Sequence, residues 1–244
     1  MAGHSARAIR QRLESLAAAG VTDLPRPRPQ QVSAPAPATG RQASPPPAAG
    51  TAEPASAGRD RALDVIRQEV AVCRRCEHLA CTRHTTVFGS GSPTARVCFF
   101  GEAPGADEDL SGQPFVGRAG QLLTKIIEAC TLTRDEVYIL NVLKCRPPDN
   151  RQPSPDEIAN CREYFERQLE VIAPEFICCL GTTAAQALLQ TAEPIGKLRG
   201  QWFTHGAAHV ICTYHPSYLL RNPGAKRHVW DDMKLLMGRM GVEL

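Results

Sequence analysis

Four cysteines, a glycine-rich acidic turn, an asparagine and a histidine hold most of the chemistry this chain can offer. Cys73 and Cys76 form a C-x2-C pair, and Cys145 and Cys161 are separated by fifteen residues after "KCRPP". Four thiolates suit either tetrahedral zinc or a 4Fe–4S cluster, and C-x2-C pairs serve both, so spacing alone leaves the metal open. The competing role for Cys145 and Cys161 is that of buried core thiols. Cys81 lies five positions after Cys76 and is a spare thiol. Cys98, Cys178, Cys179 and Cys212 fall in apolar runs and Cys130 ends a helical pattern. In such places a free cysteine behaves as a small hydrophobe.

The second stretch is "VCFFGEAPGADEDLSGQPFVGRAGQLL", from Val97 to Leu123. An apolar run breaks into glycines, a proline and clustered acids, then resumes with helical spacing. Glycines have no Cβ, so the backbone N–H groups of "GEAPG" can approach a ligand such as a phosphate closely. The turn lacks the Lys-Ser/Thr pair of a P-loop, and Gly101, Ala103 and Gly105 do not make GxGxxG. Phe115 and Gly117 close it before the helix. Asn141 ends an apolar run and can both donate and accept hydrogen bonds. His215 opens "HPSYLLR".

The elements that would hold these residues alternate along the chain. "RALDVIRQEVAVC" reads as a helix, "ARVCFFG" as a strand, "AGQLLTKIIEAC" as a helix and "EVYILNVL" as a strand. "SPDEIANCREYFERQLEVI" is a helix with Ser154 as N-cap and Pro155 at its first position. "EFICCLG", "TTAAQALLQ", "HVICTYHPS" and "KRHVWDDMKLLMGRM" continue the alternation as strand, helix, strand and closing helix. Near-continuous apolar strands between helices indicate a parallel sheet covered on both faces. The pattern predicts a three-layer α/β/α sandwich around a short, mostly parallel four-stranded sheet. Ligands in such sheets bind outside the carboxyl ends of the strands, where "GEAPG", Asn141 and "HPS" all fall.

Ahead of this domain, assigned to residues 59–244, the character changes. Residues 1–24 place Ile9, Leu13, Leu16 and Ala17 on one face of an isolated amphipathic helix. Residues 25–58 are rich in Pro, Ala, Ser and Gly, with too little apolar surface to offset their ordering entropy, so a disordered linker is expected. The helix is either solvated or a docking peptide for a protein partner. The formal charge of +3 among 244 residues is only weakly suggestive of a polyanionic partner. No run of eighteen apolar residues and no secretory h-region appear, so no membrane is expected and a reducing, cytoplasmic location is.

"GEAPGADEDLSGQPFVGRAGQLL", "NVLKCRPPDNR" and "HPSYLLRNP" together resemble the family 4 uracil-DNA glycosylases, the iron–sulfur branch of the uracil-DNA glycosylase superfamily. The resemblance runs from about Cys73 to the last helix. It implies a 4Fe–4S cluster on Cys73, Cys76, Cys145 and Cys161, without Cys81. It further implies a repair enzyme that flips uracil from double- or single-stranded DNA and hydrolyses its N-glycosidic bond; a monomer is expected, and the lack of export signals makes it cytoplasmic or nucleoid-associated. A base must leave the stack for such chemistry. Gly101, Ala103 and Gly105 would then line the base pocket, Phe115 would stack on uracil, and Asn141 would read its Watson–Crick edge. His215 would stabilise the charge developing at uracil O2.

The carboxylate is a departure. The best-known branch places an aspartate where this chain has Ala103, so Glu102 is the candidate for orienting water or favouring the sugar cation, with Glu108 a lesser one. Gly105 stands where that branch has a tyrosine that blocks the thymine methyl. Ser217 and Arg221, with Lys144, Arg146, Arg151, Lys197, Arg199, Lys226 and Arg227, are candidate DNA contacts. Leu219 and Leu220 are candidates to enter the space vacated by the flipped base, or core residues under the last helix. The branch that becomes covalently linked to abasic DNA carries a basic insert that "KCRPPDNRQPSPDE" lacks, so turnover is expected. A non-catalytic iron–sulfur or zinc-stabilised nucleic-acid-binding module is the alternative of a different class.

Overall fold

The structure, a computed structural model, describes residues 55–243. The helix expected over 1–24 and the linker up to residue 54 lie outside them. The linker's last four positions do not: they form the first turn of helix α1 (Ala55–Ala71). Residues 55–58 offer no apolar stripe of their own, and the packed turns behind them supply the helix. Among the described residues no helix is long and apolar enough to cross a membrane.

The elements follow in the order α2 (Glu77–Thr82), β1 (Ser90–Gly91), β2 (Val97–Gly101), α3 (Ala106–Ser111), α4 (Arg118–Ala129) and β3 (Tyr138–Asn141). Next come α5 (Pro155–Ile172), β4 (Phe176–Leu180), α6 (Thr182–Leu189), α7 (Ile195–Leu198) and β5 (Trp202–His205). The chain closes with β6 (Ala208–Thr213), α8 (Pro216–Arg221) and α9 (Lys226–Arg239). The sheet runs β1-β3-β2-β4-β6-β5. The four expected strands are its parallel centre, and β1 and β5 add antiparallel edges, so the sheet has six strands rather than four. Two-residue β1 is too short to show any periodicity. The β5 strand folds back on β6 through Gly206 (φ +57°), with His205 opposite Ala208, the backbone a two-residue hairpin needs.

Alternate strand residues feed two cores, which is why the strands read as continuously apolar. Phe100, Leu140, Ile177, Cys179 and Val210 pack beneath α1, α5 and α6. Phe99, Ile139, Cys178 and Ile211 pack on the other side, against α4 and α9. Cys98, Cys130, Cys178, Cys179 and Cys212 are fully buried within these cores, as small hydrophobes.

Helix α5 starts where its sequence dictates. Ser154 Oγ accepts from the Glu157 N–H at 3.3 Å, and the Glu157 carboxylate accepts from the Ser154 N–H at 2.8 Å. Arg151 forks onto the same carboxylate at 2.6 and 2.9 Å, tying the loop after β3 to this helix start.

Candidate functional site

A cavity of about 740 Å³ opens at the carboxyl ends of the parallel strands. Glu102, Ala103, Gly105, Phe115, Asn141, Tyr214, His215 and Arg221 are among its walls. Sheet register alone brings the first two motifs together, because Gly101 of β2 pairs with Asn141 of β3. A Cβ on Gly101 would run into Asn141 Oδ1 and lie 2.6 Å from the Phe115 ring, so only glycine fits. The Phe115 and His215 rings stand 5.6 Å apart at 34°. The aromatic ring, the carboxamide and the imidazole therefore meet at one place, although they come from three distant stretches of chain.

Asn141 is only 2% exposed, and its Oδ1 has no hydrogen-bond partner among the described residues. Leaving a buried acceptor unsatisfied costs about 1–3 kcal/mol. Asn141 lines the cavity, so this acceptor lies at the site without a donor among the described residues.

Phe115 is held in an unusual conformation for a non-glycine residue, with φ +54°. The Arg134 guanidinium fixes it, donating to the Phe115 carbonyl at 3.1 Å and the Pro114 carbonyl at 2.7 Å. Gly120 of α4 lies against the Phe115 backbone, where any Cβ would collide with it. The Glu108 carboxylate clips the same region, accepting from the N–H groups of Gly105 (3.1 Å), Val116 (2.8 Å) and Gly117 (2.9 Å). Its oxygens are thus occupied, and Asp109 is buried and spent on the N–H groups of His84 and Thr85. Glu102 lines the cavity, and among the described residues no hydrogen bond or ion pair engages its carboxylate.

His215 precedes α8 as its N-cap and accepts the Ser217 N–H on Nδ1 at 3.1 Å. A backbone N–H can only donate, so Nδ1 is unprotonated and the neutral ring keeps its proton on Nε2. Ser217 Oγ, 2.8 Å away, is placed to donate to the same nitrogen. Burial pushes the imidazole down to about 4, Arg221 adds to the effect, and Glu108 opposes it. His215 is therefore a neutral donor at ordinary pH.

Two candidate DNA contacts are corrected. Leu219 is 1% exposed and packs in the core beside α4 and α9, because its position on α8 faces the sheet; Leu220 is 39% exposed. Lys144 is 1% exposed, and its ammonium donates to the carbonyls of Asn141 (2.8 Å) and Phe88 (3.4 Å), bracing the end of β3 from below. Ser217 is engaged with His215, and Arg221 stands exposed at the cavity wall.

Cys73 and Cys76 leave α1, Cys145 follows β3 and Cys161 lies on α5; all four are free thiols. Two have a hydrogen-bonding neighbour: Asn160 Nδ2 lies 3.5 Å from Cys76, and Arg83 Nη1 donates to Cys145 at 3.0 Å. N–H groups aimed at sulfur suit thiolate ligands. Among the described residues no three Cys, His, Asp or Glu side chains are grouped around a single metal ion. Four cysteines are the donor type that iron–sulfur clusters take, each thiolate binding a different iron, so their sulfurs stand farther apart than around a single ion. Cys81 is exposed.

Glu108, the lesser candidate for orienting water, is instead spent on this clip of three backbone N–H groups. Nothing local marked Arg134, nineteen residues from the backbone it holds.

Comparison with known proteins places relatives on this geometry. The family model described as the Uracil DNA glycosylase superfamily matches residues 88–234. A type-4 uracil-DNA glycosylase of Archaeoglobus fulgidus is 43% identical over 180 residues, 70% of this chain and 90% of that protein. The type-4 enzyme of Thermotoga maritima is 43% identical over 182 residues, 72% of this chain and 93% of that protein. A type-5 uracil-DNA glycosylase of Pyrobaculum aerophilum is more distant, 32% identical over 151 residues, 55% of this chain and 66% of that protein.

Proposed function

The chain belongs to the uracil DNA glycosylase superfamily, and we propose that it is a monofunctional DNA-repair enzyme that extrudes uracil, hydrolyses its N-glycosidic bond and leaves an abasic site. The observation that carries this reading is the unpartnered Asn141 Oδ1, buried beside Phe115 and His215. An acceptor there matches uracil N3–H, and the Nδ2 of the same carboxamide matches O4. Phe115 supplies a flat apolar face for the ring. Uracil opposite guanine, the product of cytosine deamination, is the expected lesion.

The bond from the sugar C1′ to N1 breaks with its electron pair passing to uracil, leaving positive charge on the sugar. The negative charge spreads to O2, where the His215 Nε2–H donates a hydrogen bond that strengthens as the charge develops. Glu102, carrying no other bond, favours the sugar cation and orients the water that attacks C1′. That water gives its proton to solvent or to Glu102, and the uracil anion takes one at N1. Among the described residues no lysine lines the cavity, so no amine is available for a Schiff base and the strand stays intact.

Cys73, Cys76, Cys145 and Cys161 would hold a 4Fe–4S cluster. When bound, it cross-links the end of α1, the loop after β3 and helix α5. That loop continues into Pro147, Asn150 and Arg151 on the cavity wall.

A single-stranded oligonucleotide with one uracil tests the assignment. Free uracil and an alkali-labile, otherwise intact strand are expected. Asn141→Ala should lower kcat/KM roughly 10- to 100-fold. Binding of the strand without release of uracil would make the protein a non-catalytic nucleic-acid-binding module instead.

A further inference from the structure

The rim of the cavity carries an aromatic pair that the excision chemistry does not use. Tyr214 and Tyr218 stack with ring centroids 4.9 Å apart at 30°, and both line the cavity. Tyr214 is braced behind: the Arg199 guanidinium lies 5.4 Å from its ring centre and His228 meets it edge-on at 6.3 Å. Arg199 is itself fixed by Asp232 at 2.8 and 3.2 Å. Tyr218 forms the outer layer and is 39% exposed. Its N–H donates to the His215 carbonyl and its own carbonyl accepts from the Asn222 N–H, so the ring is carried on a fixed turn beside the imidazole. Among the described residues neither phenol oxygen has a hydrogen-bond partner. Hydrogen bonding therefore does not explain the aromatic residues here, and Tyr218 stacks on Tyr214 while staying 39% exposed.

We propose that the Tyr214–Tyr218 stack is a platform for a second nucleobase, the neighbour of the extruded uracil in the same strand. A flipped nucleotide leaves its neighbour with an uncovered face. A rigid pair of rings on the wall of the same cavity offers that face a surface without reading its identity, because every base has a π-face. The exposed Arg221 guanidinium on the same wall suits the phosphate between the two nucleotides. The platform rests on the glycosylase reading for its choice of ligand. It adds a contact that works on single strands, where no partner strand holds the neighbour in place.

The test removes the base instead of relying on a protein variant alone. The probes are single-stranded oligonucleotides carrying 2′-fluorodeoxyuridine, which resists cleavage because fluorine disfavours positive charge on the sugar. They are made with an intact base or with an abasic site at the 5′ or the 3′ neighbour. Base–aromatic stacking, worth about 1–3 kcal/mol per base, corresponds to about 5- to 160-fold in affinity. The wild-type protein should bind about tenfold more weakly when one particular neighbour base is missing. Tyr218→Ala should bind both oligonucleotides equally, at the weaker affinity, and Tyr218→Phe should behave as wild type. Equal weakening in wild type and Tyr218→Ala, or none in wild type at either neighbour, would overturn the platform. Uracil release from the unmodified strand, measured in parallel, reports on the glycosylase assignment separately.

Discussion

At His215 the hydrogen-bond pattern and the burial agree on a neutral ring. Its Nδ1 accepts a backbone N–H, and burial with the nearby Arg221 charge holds its pKa at about 4. An unfolded chain would take up that proton near pH 6.5, roughly two units earlier. Between those values the unfolded state binds more protons, so this residue's contribution to stability falls as pH drops from about 7 toward 4 and is flat above 7. Activity follows a different rule, since the working form is the neutral donor. The kcat/KM profile should therefore cross pH 6.5 without an inflection from His215, and a histidine step near 6.5 in the free enzyme would contradict the assignment. His215→Gln should lose on the order of 10²-fold in kcat and show a shallower decline of denaturation midpoint between about pH 7 and 5. The reacting side chains were legible from their motifs, but their tautomers and supports were not. Which nitrogen of His215 is protonated depends on the Ser217 N–H, and Phe115 keeps its positive φ through Arg134, a partner no local pattern announces.

The four candidate cluster ligands come from separate elements: the exit of α1, the loop after β3 and the middle of α5. A group binding all four joins segments that the sheet does not connect directly, and it does so beside the loop that walls the cavity. Cys145→Ala should then abolish the visible absorption at about 400 nm that the loaded protein shows. It should lower the thermal midpoint by on the order of 10 °C and slow uracil release, through misplacement of the Pro147–Arg151 loop. A colourless wild-type protein with the same stability would remove the cluster and favour zinc or plain thiols. The long elements were readable because both faces of the central strands are buried and α5 carries its start signal in Ser154, Pro155 and Glu157. The pieces that escaped are short. Strand β1 has two residues, α3 is an acidic turn with no apolar stripe, and α8 is six residues begun by His215 and Pro216. Their structure comes from tertiary hydrogen bonds, such as Glu108 to three backbone N–H groups, and not from periodicity.

Across the whole molecule the positive charge is distributed less evenly than the net +3 suggests. Several of the cations near the strand ends are already committed. Lys144 is buried, Arg199 belongs to Asp232, Arg151 to Glu157 and Lys197 to Glu193. Arg146, Arg221, Lys226 and Arg227 form no ion pair with a carboxylate among the described residues, and the last three sit at the junction of α8 and α9, where Arg221 lines the cavity. Phosphates should therefore be gripped mainly at that corner. Removing one phosphate contact there should flatten the dependence of log Kd on log salt by about 0.7–0.9, the lower value for a single strand. Arg221→Ala and Arg227→Ala are each expected to do so, and Lys197→Ala, whose charge is already engaged, is expected to leave the slope unchanged. Backbone contacts position the strand and read no base, so preference for uracil over cytosine should persist in all three variants. A slope altered equally by Lys197→Ala would mean that the field of the whole surface, and not this corner, holds the DNA.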